Sequence, residues 1–83
     1  MQVSRDILSK TLSGEEVLMD LANGNYYGLN ETGTRIWQAV KAGRTEAQIA
    51  EDLAADYGIN ANEALADVRE FCALLQSENL LQP

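Results

Sequence analysis

Up to Leu29 the apolar residues come in short, broken runs; from Asn30 onward they recur every three or four positions. The first pattern predicts strands and the second predicts amphipathic helices. Ser13-Gly14 and Asn23-Gly24 punctuate the strand region. Asn-Gly accepts positive φ at both central positions of a tight hairpin, so it predicts a two-residue turn. Strands are expected from Ile7 to Leu12, from Val17 to Leu21, and over the short aromatic stretch that ends at Leu29. Counting out from the turns sets Leu12 opposite Glu15, Lys10 opposite Val17, Leu8 opposite Met19, and Leu21 opposite Tyr26. One sheet face then carries Leu8, Leu12, Val17, Met19, Leu21 and Tyr26. The other carries Ile7, Ser9, Thr11, Glu16, Leu18, Asp20, Tyr27 and Leu29. The first set is the more apolar and is the expected core face. Residues 1–6 are polar and read as a loose arm or the start of a strand.

Asn30 is a good N-cap for a helix to about Ala42 carrying Ile36, Trp37 and Val40, with Gly43 as its C-terminal stop. Thr45 with Gln48 forms a capping box ahead of Ile49, Leu53 and Tyr57, and Gly58 closes that helix. Asn60 with Glu63 repeats the box. The third helix runs to about Asn79, with Leu65, Val68, Phe71, Cys72 and Leu75 at helical spacing; Leu80 and Leu81 extend past it to cover the open end of the core. The expected fold is α+β: a three-stranded antiparallel sheet followed by three helices, like a winged helix-turn-helix. The 83 residues suit one small domain, 1–83, without linker or repeat, and the single proline is Pro83.

Composition narrows the chemistry. Thirteen acidic against six basic residues give a formal charge of −7, which opposes binding to a phosphate backbone and suits a basic partner. There is no histidine, so the commonest general base and metal ligand is missing. None of the four serines, nor Cys72, can form a histidine-activated nucleophile. Cys72 reads as a small core residue. No enzyme activity, cofactor or metal site is expected. The N-terminus lacks an apolar signal core and no apolar run suits a bilayer span, so the expected location is cytoplasmic, away from membranes.

Two features invite a binding role. Tyr26 and Tyr27 are neighbours on a strand and point to opposite faces. With Tyr26 in the core, Tyr27 lies outside or at the rim; it either packs under a helix or stands beside a docked peptide strand. Glu63, Asp67, Glu70 and Leu74 share a face of the third helix, which is either a solvated surface or a contact for Lys and Arg of a partner.

Tyr27-Gly28-Leu29-Asn30, Thr32-Gly33 and Ile36-Trp37, followed by Thr45, Ile49, Ala50 and Leu53, and then by Asp67-Val68, Phe71, Leu75 and Leu80-Leu81, together resemble PqqD-like proteins. The resemblance runs from about Leu12 to Leu81. It departs at Asn79, where such proteins often carry glycine. It implies a recognition element for the leader of a ribosomally made precursor peptide, a chaperone without catalysis of its own. The leader would add as a strand beside the last strand, in a groove flanked by the third helix, and be handed to a separate leader peptidase and a ring-forming enzyme. The single-domain length looks more like the stand-alone type of lasso-peptide biosynthesis. On that reading Asn25, Tyr26, Tyr27, Gly28 and Leu29 supply main-chain bonds, with Tyr27 and Leu29 lining one side. Asp67 and Glu70 meet basic leader residues, and Phe71 or Leu74 floors an apolar pocket; spacing alone does not decide which of Val68, Phe71 and Leu74 faces the groove. A free sheet edge also permits a homodimer. The alternative is a winged-helix DNA-binding regulator, but Arg69 stands against Glu63, Asp67, Glu70 and Glu78 on the third helix.

Overall fold

Positive φ at both Ser13 (52°) and Gly14 (82°) makes the first hairpin turn. The structure, a computed structural model, describes residues 1–82. Around that turn β2 (Ile7–Leu12) pairs with β3 (Glu15–Asp20), with Leu12 opposite Glu15, Lys10 opposite Val17 and Leu8 opposite Met19, the expected register. β4 (Tyr26–Gly28) completes an antiparallel sheet of order β2-β3-β4. The polar arm is more ordered than its sequence suggests. Its β1 (Gln2–Val3) pairs antiparallel with β5 (Leu81–Gln82), which ties the two ends of the chain together.

The second turn departs from expectation. Tyr26 pairs with Met19, not Leu21. Asn23-Gly24 is not a two-residue hairpin, because side chains reshape the loop. Asp20 Oδ1 accepts from the Ala22 amide and Asn23 Oδ1 from the Asn25 amide, both at 2.9 Å. The Gly24 amide turns back to the Asp20 carbonyl at 2.7 Å. Asx-type bonds of this kind lengthen a turn in ways the dipeptide does not reveal.

The core face is also the opposite of the one expected. Leu18 is fully buried and Leu29 nearly so, while Leu8 is 57% and Tyr26 67% exposed, with Leu12 and Leu21 also exposed. The inner face buries Glu16 and Asp20 as well. These polar groups are bonded in part, Glu16 Oε2 being buried without a partner. Glu16 Oε1 accepts from Thr11 Oγ1 (2.6 Å) and Gln38 Nε2 (3.3 Å), and the Glu16 amide donates to Thr34 Oγ1 (2.9 Å). The outer face keeps a shallow apolar patch of Leu8, Leu12, Val17, Met19 and Tyr26.

Three helices follow, α1 (Glu31–Lys41), α2 (Glu46–Tyr57) and α3 (Ala61–Ser77); α1 packs on β3, and α2 packs against α3 and α1. Asn30 Oδ1 accepts from the Gly33 amide, and Thr45 with Gln48 makes both bonds of a capping box. Asn60 accepts from the amides of Asn62 and Glu63, but Glu63 makes no return bond, so this is a simple cap. Asn79 follows α3 in the left-handed region, φ 61°, a conformation Asn tolerates. The core is mostly helical: Ile36, Trp37, Val40, Ile49, Leu53, Val68, Cys72 and Leu75, closed by Leu80 and Leu81. Tyr57 is not part of it; its ring lies exposed against Arg35, 5.2 Å from guanidinium carbon to ring centroid. No helix of the described residues is long and apolar enough to cross a membrane.

Candidate functional site

The sheet has two edges, and they differ. β2 carries Lys10 and is reached from α1 by Lys41, whose Nζ donates to Ser9 Oγ at 3.3 Å. Lysines of this kind discourage strand addition. β4 carries Tyr26, Tyr27 and Gly28, with no charge. Among the described residues nothing pairs with its outer side.

Which main-chain groups β4 turns outward follows from its pairing. The Asp20 amide donates to the Asn25 carbonyl, and the Leu29 amide to the Glu16 carbonyl, both at 2.9 Å. Bonded and non-bonded pairs alternate along an antiparallel ladder. Asn25, Tyr27 and Leu29 therefore address β3. Tyr26 and Gly28 turn their amides and carbonyls away from it. Of the five residues expected to offer main-chain bonds, these two present them. Side chains alternate in the same way: Tyr26 stands on the outer face, and half-buried Tyr27 points toward the helices. Tyr26 is therefore not the core residue expected, whereas Tyr27 stands at the rim, under a helix and lining the groove. Gly28 has open space where a side chain would begin.

Across from β4 lies α3. Tyr27, Gly28 and Leu29 on one bank, with Phe71, Leu74, Leu75, Glu78 and Leu80 on the other, enclose a groove of about 300 Å³. The groove is apolar except for Glu78, whose Oε2 accepts from the Tyr27 hydroxyl at 3.3 Å. Leu74 is 56% exposed. Phe71 packs partly on the core, and its ring tip lies 2.9 Å from where a Cβ on Gly33 would be. Gly33 thus lets α1 approach α3 closely enough to seat that ring. Val68 is wholly buried, so Phe71 and Leu74 are the two of the three that face the groove.

The two acidic residues expected at the site separate. Asp67 lines a separate hollow of about 220 Å³ with Thr32, Ile36, Leu53, Tyr57, Ile59 and Ala64. Glu70 is exposed and lines neither hollow. Sequence reasoning missed Leu75, Leu80 and above all Glu78 as groove residues. One signal was available. Glu78 is the C-cap of α3, whose last turn holds no basic residue, and a carboxylate at the negative end of a helix dipole is unfavourable without a reason.

A larger hollow of about 450 Å³ lies between the N-terminal arm and the end of α3, with Arg5, Asp6, Asp20, Gln76 and Asn79 among its walls. Ile7, Ala22 and Leu81 also line it, and it does not border β4. Among the described residues no three His, Cys, Asp or Glu are grouped to hold a metal ion. Cys72 is buried, and burial, with Glu46 adding to it, pushes its thiol up to about 11. It is far from a reactive thiolate at neutral pH.

Comparison with known proteins fits this geometry. The family model for coenzyme PQQ synthesis protein D (PqqD) matches residues 15–81. A solved structure of TbiB1 in complex with the TbiA(beta) leader peptide is 30% identical, with a TM-score of 0.94 over 99% of this chain and 95% of that one. A structure of lasso peptide synthetase B1 complexed with the leader peptide, 24% identical, has the same fold at a TM-score of 0.93 over 99% and 96%. PqqD from Xanthomonas campestris is 26% identical with a TM-score of 0.59, covering 99% and 100%. A comparison with curated protein sequences finds no match.

Proposed function

The chain belongs to the PqqD family, and on that premise we propose that it is a non-catalytic leader-peptide recognition domain of lasso-peptide biosynthesis. The observation that carries the reading is the outer side of β4. It presents the main-chain groups of Tyr26 and Gly28 beside an apolar groove, in a fold shared at a TM-score of 0.94 with a protein solved with its leader bound. Strand addition takes affinity from main-chain bonds and selectivity from side-chain pockets. Here the leader adds beside β4, its inward side chains resting on Phe71 and Leu74. Held there, it reaches a separate leader peptidase and ring-forming enzyme at raised local concentration, so the domain contributes proximity and no bond chemistry. The acidic surface of α3 gives no support to a duplex-binding role.

The test is a fluorescence-anisotropy titration with a labelled lasso-precursor leader, the TbiA(beta) leader bound by the 30% identical neighbour serving as the first probe. Tyr27→Ala and Leu74→Asp are each expected to raise Kd at least tenfold without loss of helical signal. Glu70→Lys, away from the groove, is expected to change it less than threefold. Unchanged affinity in both groove variants would move the site elsewhere.

A further inference from the structure

We propose that Glu78 selects a basic residue, lysine or arginine, at the position of the bound peptide that lies opposite Tyr27. The inference rests on the strand-addition reading above and adds to it the chemistry of one side chain. A guest residue directly opposite Tyr27 shares its face of the sheet, so its side chain enters the groove beside the Tyr27 ring. Tyr27 addresses β3 with its main chain, so in an antiparallel guest the pair at Tyr27 is of the non-hydrogen-bonded kind, in which side chains come closest. Tyr27 already reaches Glu78, with 3.3 Å between the hydroxyl and Oε2. A guest side chain of similar reach arrives at the same carboxylate.

Three observations set the charge of that side chain. Among the described residues Glu78 is the only charged one lining the groove. It belongs to neither ion pair of the described residues, which are Arg35 with Asp56 and Arg44 with Asp52. It also sits at the C-cap of α3, where the negative end of the dipole adds to its own charge and the last turn supplies no cation. Glu78 is now exposed to water. A peptide lying over the groove strips some of that water away, and a carboxylate left there with one tyrosine hydroxyl is poorly compensated. Lysine or arginine answers both demands, its methylene stem lying on Leu74 and Leu80 and its head meeting Glu78.

The experiment uses random 12-residue peptides displayed on phage, selected in parallel on the wild-type chain, Glu78→Gln and Glu78→Lys. The wild type should enrich Lys or Arg at one position fixed relative to its apolar anchors, Glu78→Gln should lose that enrichment, and Glu78→Lys should shift it to Asp or Glu. In the best wild-type peptide, changing that residue to Glu should weaken binding tenfold or more, and Glu78→Lys should restore most of the loss. The same motif from all three proteins would overturn the proposal. Amide hydrogen exchange on the complex separates the two readings. Protection of the Tyr26 and Gly28 amides without a charge preference leaves strand addition standing and removes the role of Glu78. No protection at those amides removes strand addition itself.

Discussion

Leu8 and Leu18 are the same residue on adjacent strands, one 57% exposed and the other sealed in the core. Leu18→Ala should cost about 2–5 kcal/mol, as for a buried leucine that leaves a cavity, whereas Leu8→Ser should stay within about 0.5 kcal/mol. Urea unfolding of the two variants checks which face of the sheet is the core, the point on which counting apolar residues fails. Cys72 allows a second check, with a sign. Its thiol is pushed from an ordinary value of 9.0 to about 11, first by burial. Folding therefore favours the protonated form, and that stability is fully present below pH 9. As pH rises from about 9 to about 11 the unfolded chain loses the proton first, and stability falls by roughly 2–3 kcal/mol at about 1.4 per unit. Urea unfolding at pH 8.5 and 10.5 should show the decline in the wild type. In Cys72→Ala the decline over that interval should be smaller by roughly 1.5–2 kcal/mol, whatever its starting stability.

At the scale of elements, α1 and α3 meet through Gly33 and Phe71. Alanine is the better helix former by up to about 1 kcal/mol, but its Cβ at position 33 would press on the Phe71 ring tip at 2.9 Å. Gly33→Ala should leave the chain folded, with a melting shift of a few degrees, and weaken leader binding severalfold because the displaced ring disturbs the groove. Gly33→Val should do both more strongly. Unchanged binding in the valine variant, measured with the same labelled leader, would show that Phe71 is not part of the contact. The elements themselves were legible, because caps and turns are local. Thr45 with Gln48, Asn30, Gly58 and Ser13-Gly14 each act within a few residues, and each does what its sequence implies. The faces and the site were less so. The polar inner face depends on Thr11 of β2 and on Thr34 and Gln38 of α1 meeting Glu16 on β3. Phe71, Leu74 and Val68 fall on one broad apolar stripe, and only the position of β4 decides which of them remain open. Glu78 reads as any solvated acid near a helix end until Tyr27, fifty-one residues away, is found beside it.

Over the whole molecule, charge decides between the two guests a free edge can take: a peptide or a second copy. Nine of the thirteen acidic residues lie from Glu31 onward, in the helical half, and α3 with its C-cap carries an acidic ridge of Glu63, Asp67, Glu70 and Glu78, of which Glu78 lines the groove beside β4. Joining two copies edge to edge would bring two such ridges together in an assembly of −14, twice −7. A peptide with basic residues meets the same field as an attraction. The two events should therefore respond to salt with opposite sign. Raising ionic strength from about 0.02 M to about 0.5 M shortens the screening length from roughly 20 Å to roughly 4 Å, well inside the width of the ridge. Leader affinity should fall over that range, and any self-association should strengthen. Sedimentation velocity on the free chain, run beside anisotropy on the complex at each salt, reads both. Leader binding that tightens with salt would mean the acidic ridge plays no part in recognition, and dimers that dissolve with salt would mean that copies meet through some surface other than β4.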